Sequence, residues 1–598
     1  MAKQHSFHIP VMGIGYTIDT PLNVAHLGMD SVISLVDDIL IEKLRKMYSE
    51  KFEIPYKEIT DKIEDFRAKR ITSYLNLINT VVDQKFEELK KVASEKSNAL
   101  MEYFSMLPNG STLVNEFKTI SSKGFNTQDI KDWLNQNLSK GDIDVNIMTK
   151  VDKDNYKGKE KLPIEYNDAH AALRGYANSD LSSSLVLSAG MNPRLYSYIE
   201  NFDDFFPNEN GYIKKKIVLK VSDYRSALIQ GKFLAKKGIW ISEYRIESGL
   251  NCGGHAFATE GFLIGPILEE FNKNKESMRQ DIFEILTSAL QSKDRTLPNS
   301  KLPIKISAQG GVGTAQEHEF LLDYYKVDSV GWGSPFLLVP EATSVDKETL
   351  TKLADAKEKD LYLSKISPLG VSFNNLRGNT KDKEKLNFID KNRPGSSCPK
   401  KYVALNKEFS ENGLCTSSRQ YQHLKIKALD NQNLSKDDYN NQYDKIVEKS
   451  CICVGLGTST LIAKGLDTKR EGKGVSVCPG PNMAYFSKQL SLKEMIQHIY
   501  GRANVITDQN RPNIFIKELN IYIDYLKNQF EETQNSMNKK QEQYLNKFAN
   551  NLDDGISYYN NLFKSLKDKF NDSKSNILSE LDNSKKRLQT LKVRIDKL

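Results

Sequence analysis

The chain has 598 residues, of which 39% are hydrophobic and 27% charged, and at this length three or four packed units are expected rather than one ordinary domain. Its formal charge of +8 is spread over 85 basic and 77 acidic residues. Lys and Glu interleave almost everywhere, whereas nucleic-acid proteins concentrate the excess in one stripe, so the charge gives no support to a nucleic-acid partner. No run of about 18 apolar residues exists, so no membrane span is expected. The start, MAKQHSFHIPVMG, has no apolar core of a secretory signal. A cytoplasmic protein is expected, whose six cysteines serve as thiols or metal ligands rather than disulfides.

Residues 1–37 begin a β/α chain. Ile9 to Ile18 is strand-like, Thr20-Pro21 opens a short helix over Leu22 to Leu27, and Val32 to Val36 is a second buried strand. Residues 38–167 change character: Leu40, Leu44, Met47 and Tyr48, then Leu75, Ile78, Val82, Phe86 and Leu89, recur at helical spacing. That spacing predicts amphipathic helices without strands, an insertion into the β/α chain. The β/α pattern resumes over residues 168–370, with strands in SSSLVLSAGMNP (182–193), KIVLKV (216–221) and around Ile239–Ile241. A helix follows over residues 281–290, and two more strands end at Gly310-Gly311 and Gly331-Trp332-Gly333. Residues 371–510 are polar and irregular and hold five of the six cysteines. Residues 511–598 are helical, with Ile556, Tyr559, Phe563, Leu566, Phe570, Ile577 and Leu581 continuing to Leu588, Leu591 and Ile595 in an approximate heptad. That pattern predicts a coiled coil or helical hairpin, with self-association through these helices as one use.

Three segments carry chemistry. In AQGGVGT and VGWGSPF, glycine turns follow adjacent apolar strands, which leaves backbone N–H groups free to hold an anion. Gly310, Gly311 and Val312 in one turn, and Gly333 and Ser334 in the other, are the candidate phosphate ligands. GLNCGGHAF, at 249–257, also follows a strand. Gly253 and Gly254 let the backbone approach a ligand and direct His255 inward, where an imidazole can move a proton at neutral pH.

GGH, AQGGVGT and VGWGSPF in this order, behind IPVMGIGYTIDTP at the start, resemble the nitronate monooxygenase (2-nitropropane dioxygenase-like) and FMN-dependent enoyl-acyl-carrier-protein reductase family. Its members show an AGGH-type turn, then AGGI, then a GxxxGTRF-like turn. The resemblance covers roughly residues 8–37 and 185–345. It implies a (β/α)8 TIM barrel that binds FMN, with Met12 and Gly13 against the flavin and His255 as the proton-transfer residue. It also implies a small-molecule substrate, with NAD(P)H or a ferredoxin-like protein as electron donor. Two positions depart from the family: Asn251-Cys252 stands where Glu-Ala usually precedes Gly-Gly-His, and Ser334 replaces a threonine but keeps the hydroxyl. Cofactor turns survive changes of reaction, so the resemblance speaks to cofactor more than to substrate.

The cysteines form a second constellation: Cys398-Pro399, Cys415, Cys451-Ile452-Cys453 and Cys478-Pro479. Four thiolates are the complement of a 4Fe-4S cluster, and Cys-Pro is common at such ligands; four of these five are the candidate set. Zinc is an alternative for a CxC pair, and buried thiols acting as small hydrophobes are another. The glycines of CVGLGTST (453–460) are a weak phosphate-turn signal. A second functional class also stays open, a non-catalytic barrel scaffold that binds partners through its helical additions.

Overall fold

The computed structural model describes residues 3–91, 98–122, 127–251, 260–506, 508, 510–534, 537–567, 569–571 and 573–597. Eight parallel strands close into a barrel in sequential order: β1 (Phe7–Ile9), β2 (Asp30–Ser34), β3 (Ile143–Met148), β4 (Ser183–Ser188), β5 (Lys215–Val221), β6 (Ile241–Glu247), β7 (Lys305–Gln309) and β8 (Ser329–Gly331). β8 pairs back onto β1 with Phe7 opposite Val330. Along each strand, alternate residues face the surrounding helices and the barrel interior. The outward set is apolar and fully buried (Phe7, Ile9, Val145, Leu185, Ile217, Leu219, Ile246), and its burial is the main driving force for closure.

The inward set is unusually polar. Arg245 donates to Glu243 Oε1 at 2.8 and 2.9 Å, Ser307 Oγ donates to the same oxygen at 2.5 Å, and His8 Nδ1 lies 2.9 Å from Ser329 Oγ. Burial pushes the Glu243 carboxyl up, but the charges of Arg245, His8 and Lys3 together with the Ser307 hydrogen bond outweigh it and hold the group down at about 2. Residues 38–167 are expected to be helical throughout, yet IDVNIM within them is β3, with Asp144 and Asn146 buried. Ile143, Val145 and Ile147 alternate with Asp144 and Asn146, a period-2 strand pattern only six residues long at the end of a helical stretch.

The insertion falls between β2 and β3 and includes α1 (Asp38–Lys51) and α2 (Phe66–Lys91). The start also differs from expectation: the strand ends at Ile9, and residues 13–19 form turns before the helix Thr20–Val24. After β7, α3 (Ala315–Asp323) returns the chain to β8. Beyond the barrel lie an antiparallel pair, β9 (Leu361–Ser364) and β10 (Phe373–Leu376), and the apolar helix α4 (Ile452–Ala463). The glycines of CVGLGTST are not a phosphate turn; they lie inside α4. A Cβ on Gly457 would stand 3.1 Å from Asp37 Oδ2, and one on Gly15 would stand 3.1 Å from Gly457 Cα. Gly457 lets α4 pack closely onto the loop after β1, fixed by Gly15 N–H donating to Leu456 O at 3.1 Å, and Gly455 lets α4 approach Ser476.

The tail folds as α5 (Ile514–Thr533), α6 (Lys539–Ser565) and α7 (Lys574–Ile595), which pack on one another. Leu519, Tyr522, Leu526, Leu552, Tyr559 and Leu588 are buried within this one chain. The heptad-like stripe is therefore spent on an intramolecular layer rather than a free coiled-coil seam. No single described helix is long and apolar enough to cross a membrane.

Candidate active site

The two glycine turns sit side by side at the C-terminal ends of β7 and β8. Gly310, Gly311, Val312, Gly333 and Ser334 line one small recess together with Gly331, Asn251 and Asn482. Gly310 and Gly311 have φ of +117° and +81°, and a Cβ on Gly311 would come within 2.4 Å of the Leu250 side chain. Among the described residues, the backbone N–H groups of Gly311, Val312, Gly333 and Ser334 donate to no other group of the chain. Free N–H donors around a recess too tight for side chains are what an anion such as a phosphate requires.

Residues that sequence reading missed brace this recess. Arg511 forms a two-pronged ion pair with Glu317, each contact 2.8 Å, and also donates to Gly311 O at 3.0 Å and Asn482 Oδ1 at 2.9 Å. Asn482 Nδ2 donates to Val312 O at 2.9 Å, His498 Nε2–H donates to Gly313 O at 2.8 Å, and Gly480 N–H donates to Ser334 Oγ at 2.9 Å. The loop CPGPNMAYF thus clamps the turns from outside. Its contacts are more than 100 residues away in sequence, and no local pattern announces them.

Next to the recess, and sharing Asn251 with it, lies a cavity of about 250 Å³ over the same ends of the strands. Val11, Gly13 and Ile14 form one wall, and Leu369, Phe373 and Val403 form another. Of the two N-terminal candidates, Gly13 lines the cavity, whereas Met12 is buried in the core, its N–H held by Thr17 Oγ1 at 3.2 Å. The cavity floor is charged. Lys220 Nζ pairs with Glu247 Oε1 at 2.6 Å, Gln309 Nε2 donates to Glu247 Oε1 at 3.1 Å and to Asn251 Oδ1 at 2.8 Å, and Asn251 Nδ2 also donates to Glu247. The sequence does hold a signal for Lys220 and Glu247. In KIVLKV and ISEYRIE the polar members alternate, which in a closed barrel places them inward. Asn251, the departure from the family pattern, is part of this network.

His255, Gly253, Gly254 and Cys252 lie outside the described residues. Both flanks of that segment are described, and α5 holds them. Glu518 accepts from Ser248 Oγ at 2.6 Å on one side and from Ile264 N–H at 2.8 Å on the other, and Gly249 N–H donates to Tyr522 Oη at 3.1 Å. Burial raises the Glu518 carboxyl to about 7 despite these hydrogen bonds. An unfolded Glu titrates near 4.3, so between about 4.3 and 7 the folded chain binds the extra proton. The stability from protonated Glu518 is therefore complete below that window and is lost as pH rises through about 7. Glu518→Gln is expected to flatten the loss of stability across this window in denaturant titrations at several pH values. An unchanged slope would assign the pH dependence to other groups.

The cysteine candidates separate into four and one. Cys398 is in thiol contact with Cys415 and Cys451, and Cys451 with Cys453. Cys478 belongs to the clamp, two residues before Gly480. All five are buried and none is in a disulfide. Among the described residues no three or more His, Cys, Asp or Glu side chains are arranged to hold a metal ion, so neither the 4Fe-4S expectation nor the zinc alternative finds its geometry here.

Fold and site together define an eight-stranded parallel barrel with a glycine-lined recess beside a charged-floor cavity. No family model matches the chain and no curated protein matches it. Among solved structures it is similar to the enoyl reductase domain of MlnA from the macrolactin biosynthesis cluster of Bacillus amyloliquefaciens, at 15% identity and a TM-score of 0.31, covering 68% of this chain and 89% of that one. It is also similar to nitroalkane oxidase from Streptomyces ansochromogenes, at 8% identity and a TM-score of 0.27, covering 63% and 84%. Likeness at this level carries no argument about activity, and the barrel rests on its own strand pairing.

Proposed function

We propose that the protein is an FMN-dependent oxidoreductase acting on a small molecule. The observation that carries this reading is the adjacency of two sites through Asn251: a recess of free backbone N–H groups and the cavity of about 250 Å³ beside it. The residues present fit the group. Gly311, Val312, Gly333 and Ser334 would hold the phosphate, and the apolar walls with the Lys220–Glu247–Asn251 floor would hold the ring system. FMN supplies two-electron chemistry when bound.

The chain's own residues bind, orient and handle protons. Lys220 places a cation at the cavity floor, balanced by Glu247, and Asn251 is fixed there by Gln309. Val11, Ile14 and Phe373 keep water from the walls. His255 is the residue we assign to proton transfer, on the strength of the GGH motif, with Glu518 and Tyr522 holding the flanks of its segment. NAD(P)H or a ferredoxin-like protein is the electron donor we expect.

Comparing FMN with riboflavin tests the phosphate assignment. Two hydrogen bonds to a charged group, at about 1.5 kcal/mol each, amount to about a hundredfold in affinity. FMN is therefore expected to bind about a hundred times more tightly than riboflavin in a fluorescence titration. Equal affinities would remove the recess from the site.

A further inference from the structure

We propose that a second cavity, outside the flavin site, binds a planar organic anion, with its ring against the tyrosines of α5 and its carboxylate or phosphate on Arg377. The inference goes beyond the flavin reading and does not rest on it. The cavity has a volume of about 420 Å³ and lies between the β9–β10 hairpin and α5, with Gly249, Pro479 and Pro481 completing its lining. That volume falls in the range of about 300–1,000 Å³ that holds small ligands.

The two cavities are neighbours across one wall. Phe373 lines the flavin cavity and Asn374 the second one, as successive side chains of a strand point to opposite faces. Asn374 Nδ2 donates to Asn251 O at 3.3 Å and so ties the hairpin to the floor of the flavin cavity. From the other side, Lys517, Ile521 and Tyr525 recur every four residues and share one face of α5. Tyr525 is half-buried and packs on Phe548 with ring centroids 5.6 Å apart, and Tyr522 is held by Gly249 N–H. Rings braced in this way offer a flat apolar surface to a ring of the ligand.

The charges of the lining do not cancel. Lys517 pairs with Glu358, which also accepts from Tyr485 Oη, and Asp524 pairs with Arg587 of α7 at 2.5 Å. Both carboxylates are thus engaged. Arg377 is left over, and among the described residues its two Nη atoms meet no acceptor and no carboxylate. Its position is fixed all the same. Arg377 N–H donates to Asp360 O at 2.8 Å, Nε donates to Lys359 O at 3.0 Å, and the guanidinium lies over the Tyr362 ring, 4.2 Å from its centroid. A guanidinium held by Nε and by a ring face presents its Nη edge as a ready fork, which matches the two oxygens of a carboxylate or phosphate.

The test titrates the full-length protein with benzoate and with AMP, each beside its uncharged counterpart, benzamide and adenosine, and reads binding by saturation-transfer NMR. FMN is present at saturation, so that its phosphate occupies the glycine recess. At least one anion is expected to bind about tenfold or more tightly than its counterpart, the worth of a hydrogen bond to a charged group; which anion does so separates a carboxylate ligand from a phosphate one. Arg377→Met is expected to abolish that preference, and Tyr525→Leu to weaken anion and counterpart alike. Arg377 is exposed and its side chain holds only one carbonyl, so the variant is expected to fold, which circular dichroism checks. Should it not fold, Arg377→Lys, which keeps the charge without the fork, is expected to lose most of the preference. No binding of either anion, equal affinity of anion and counterpart, or a preference unchanged in a folded Arg377 variant would each overturn the assignment. FMN uptake is measured on the same samples, so failure here leaves the flavin reading standing, and the reverse.

Discussion

Replacing Gly311 with alanine is expected to weaken FMN binding by about a hundredfold or more while leaving the barrel folded. Two costs combine at this position. The backbone φ of +81° is one that L side chains adopt at about 1–2 kcal/mol. The new Cβ would also stand 2.4 Å from Leu250 Cδ1 and 2.7 Å from Leu250 Cβ, so the turn or the chain leading into Asn251 has to move. Either shift misdirects N–H groups whose hydrogen bonds to phosphate depend on direction, and each lost bond to a charged acceptor costs about 1.5–3 kcal/mol. Far-ultraviolet circular dichroism and an FMN titration read the two parts separately. A folded variant with parental affinity would show that Gly311 is a turn residue and nothing more.

Lys400→Met is expected to destabilise the fold by about 3–5 kcal/mol, the range for breaking a buried ion pair by removing one partner. Lys400, with a fully buried side chain, reaches Asp37 Oδ2 at 2.5 Å and Glu471 Oε1 at 3.3 Å, and Tyr402 Oη donates to Asp37 Oδ1 at 2.9 Å. Asp37 is also the N-cap of α1, accepting from Leu40 N–H at 2.9 Å. Without the ammonium, a buried carboxylate keeps only hydrogen bonds. Burial pushes the Asp37 carboxyl up, but the Lys400 charge and hydrogen bonds outweigh it, so the folded value is depressed. A depressed carboxyl contributes stability that is present above its unfolded value of about 3.9 and is lost as pH falls through the folded value. The parent should therefore lose this contribution only in strong acid. Lys400→Met should become more sensitive to high pH, because its uncompensated Asp37 favours the protonated form. Denaturant titrations of parent and variant across pH check both signs; equal midpoints at neutral pH would contradict the account.

The parts of the site that were legible in the sequence are those made by local backbone. Gly310-Gly311 and Gly333-Ser334 announce themselves because a tight turn after an apolar strand needs those residues, and the structure brings both turns into one recess. The strand Lys215–Val221 and the helices of the tail were legible for the same reason, since their periodicity is local. β3 carried a period-2 signal, Ile143, Val145 and Ile147 alternating with Asp144 and Asn146, but six residues at the end of a long helical stretch were overshadowed by the helical periodicity before them. Arg511, Asn482, His498 and Glu518 act across long sequence separations, and nothing near them in the chain marks what they touch. The glycines in CVGLGTST misled because glycine serves close helix packing as readily as it serves a phosphate turn. Which four of the five cysteines converge depends on how residues 398–453 fold back on themselves, and spacing alone left that open.

The most direct test of the central claim is the flavin content of the purified protein, measured by releasing any bound chromophore with denaturant and identifying it by chromatography. The account predicts FMN, one per chain, either as purified or after incubation with FMN and removal of the excess. Protein that is colourless and takes up no FMN at saturating concentration, with its fold verified by circular dichroism, would contradict it.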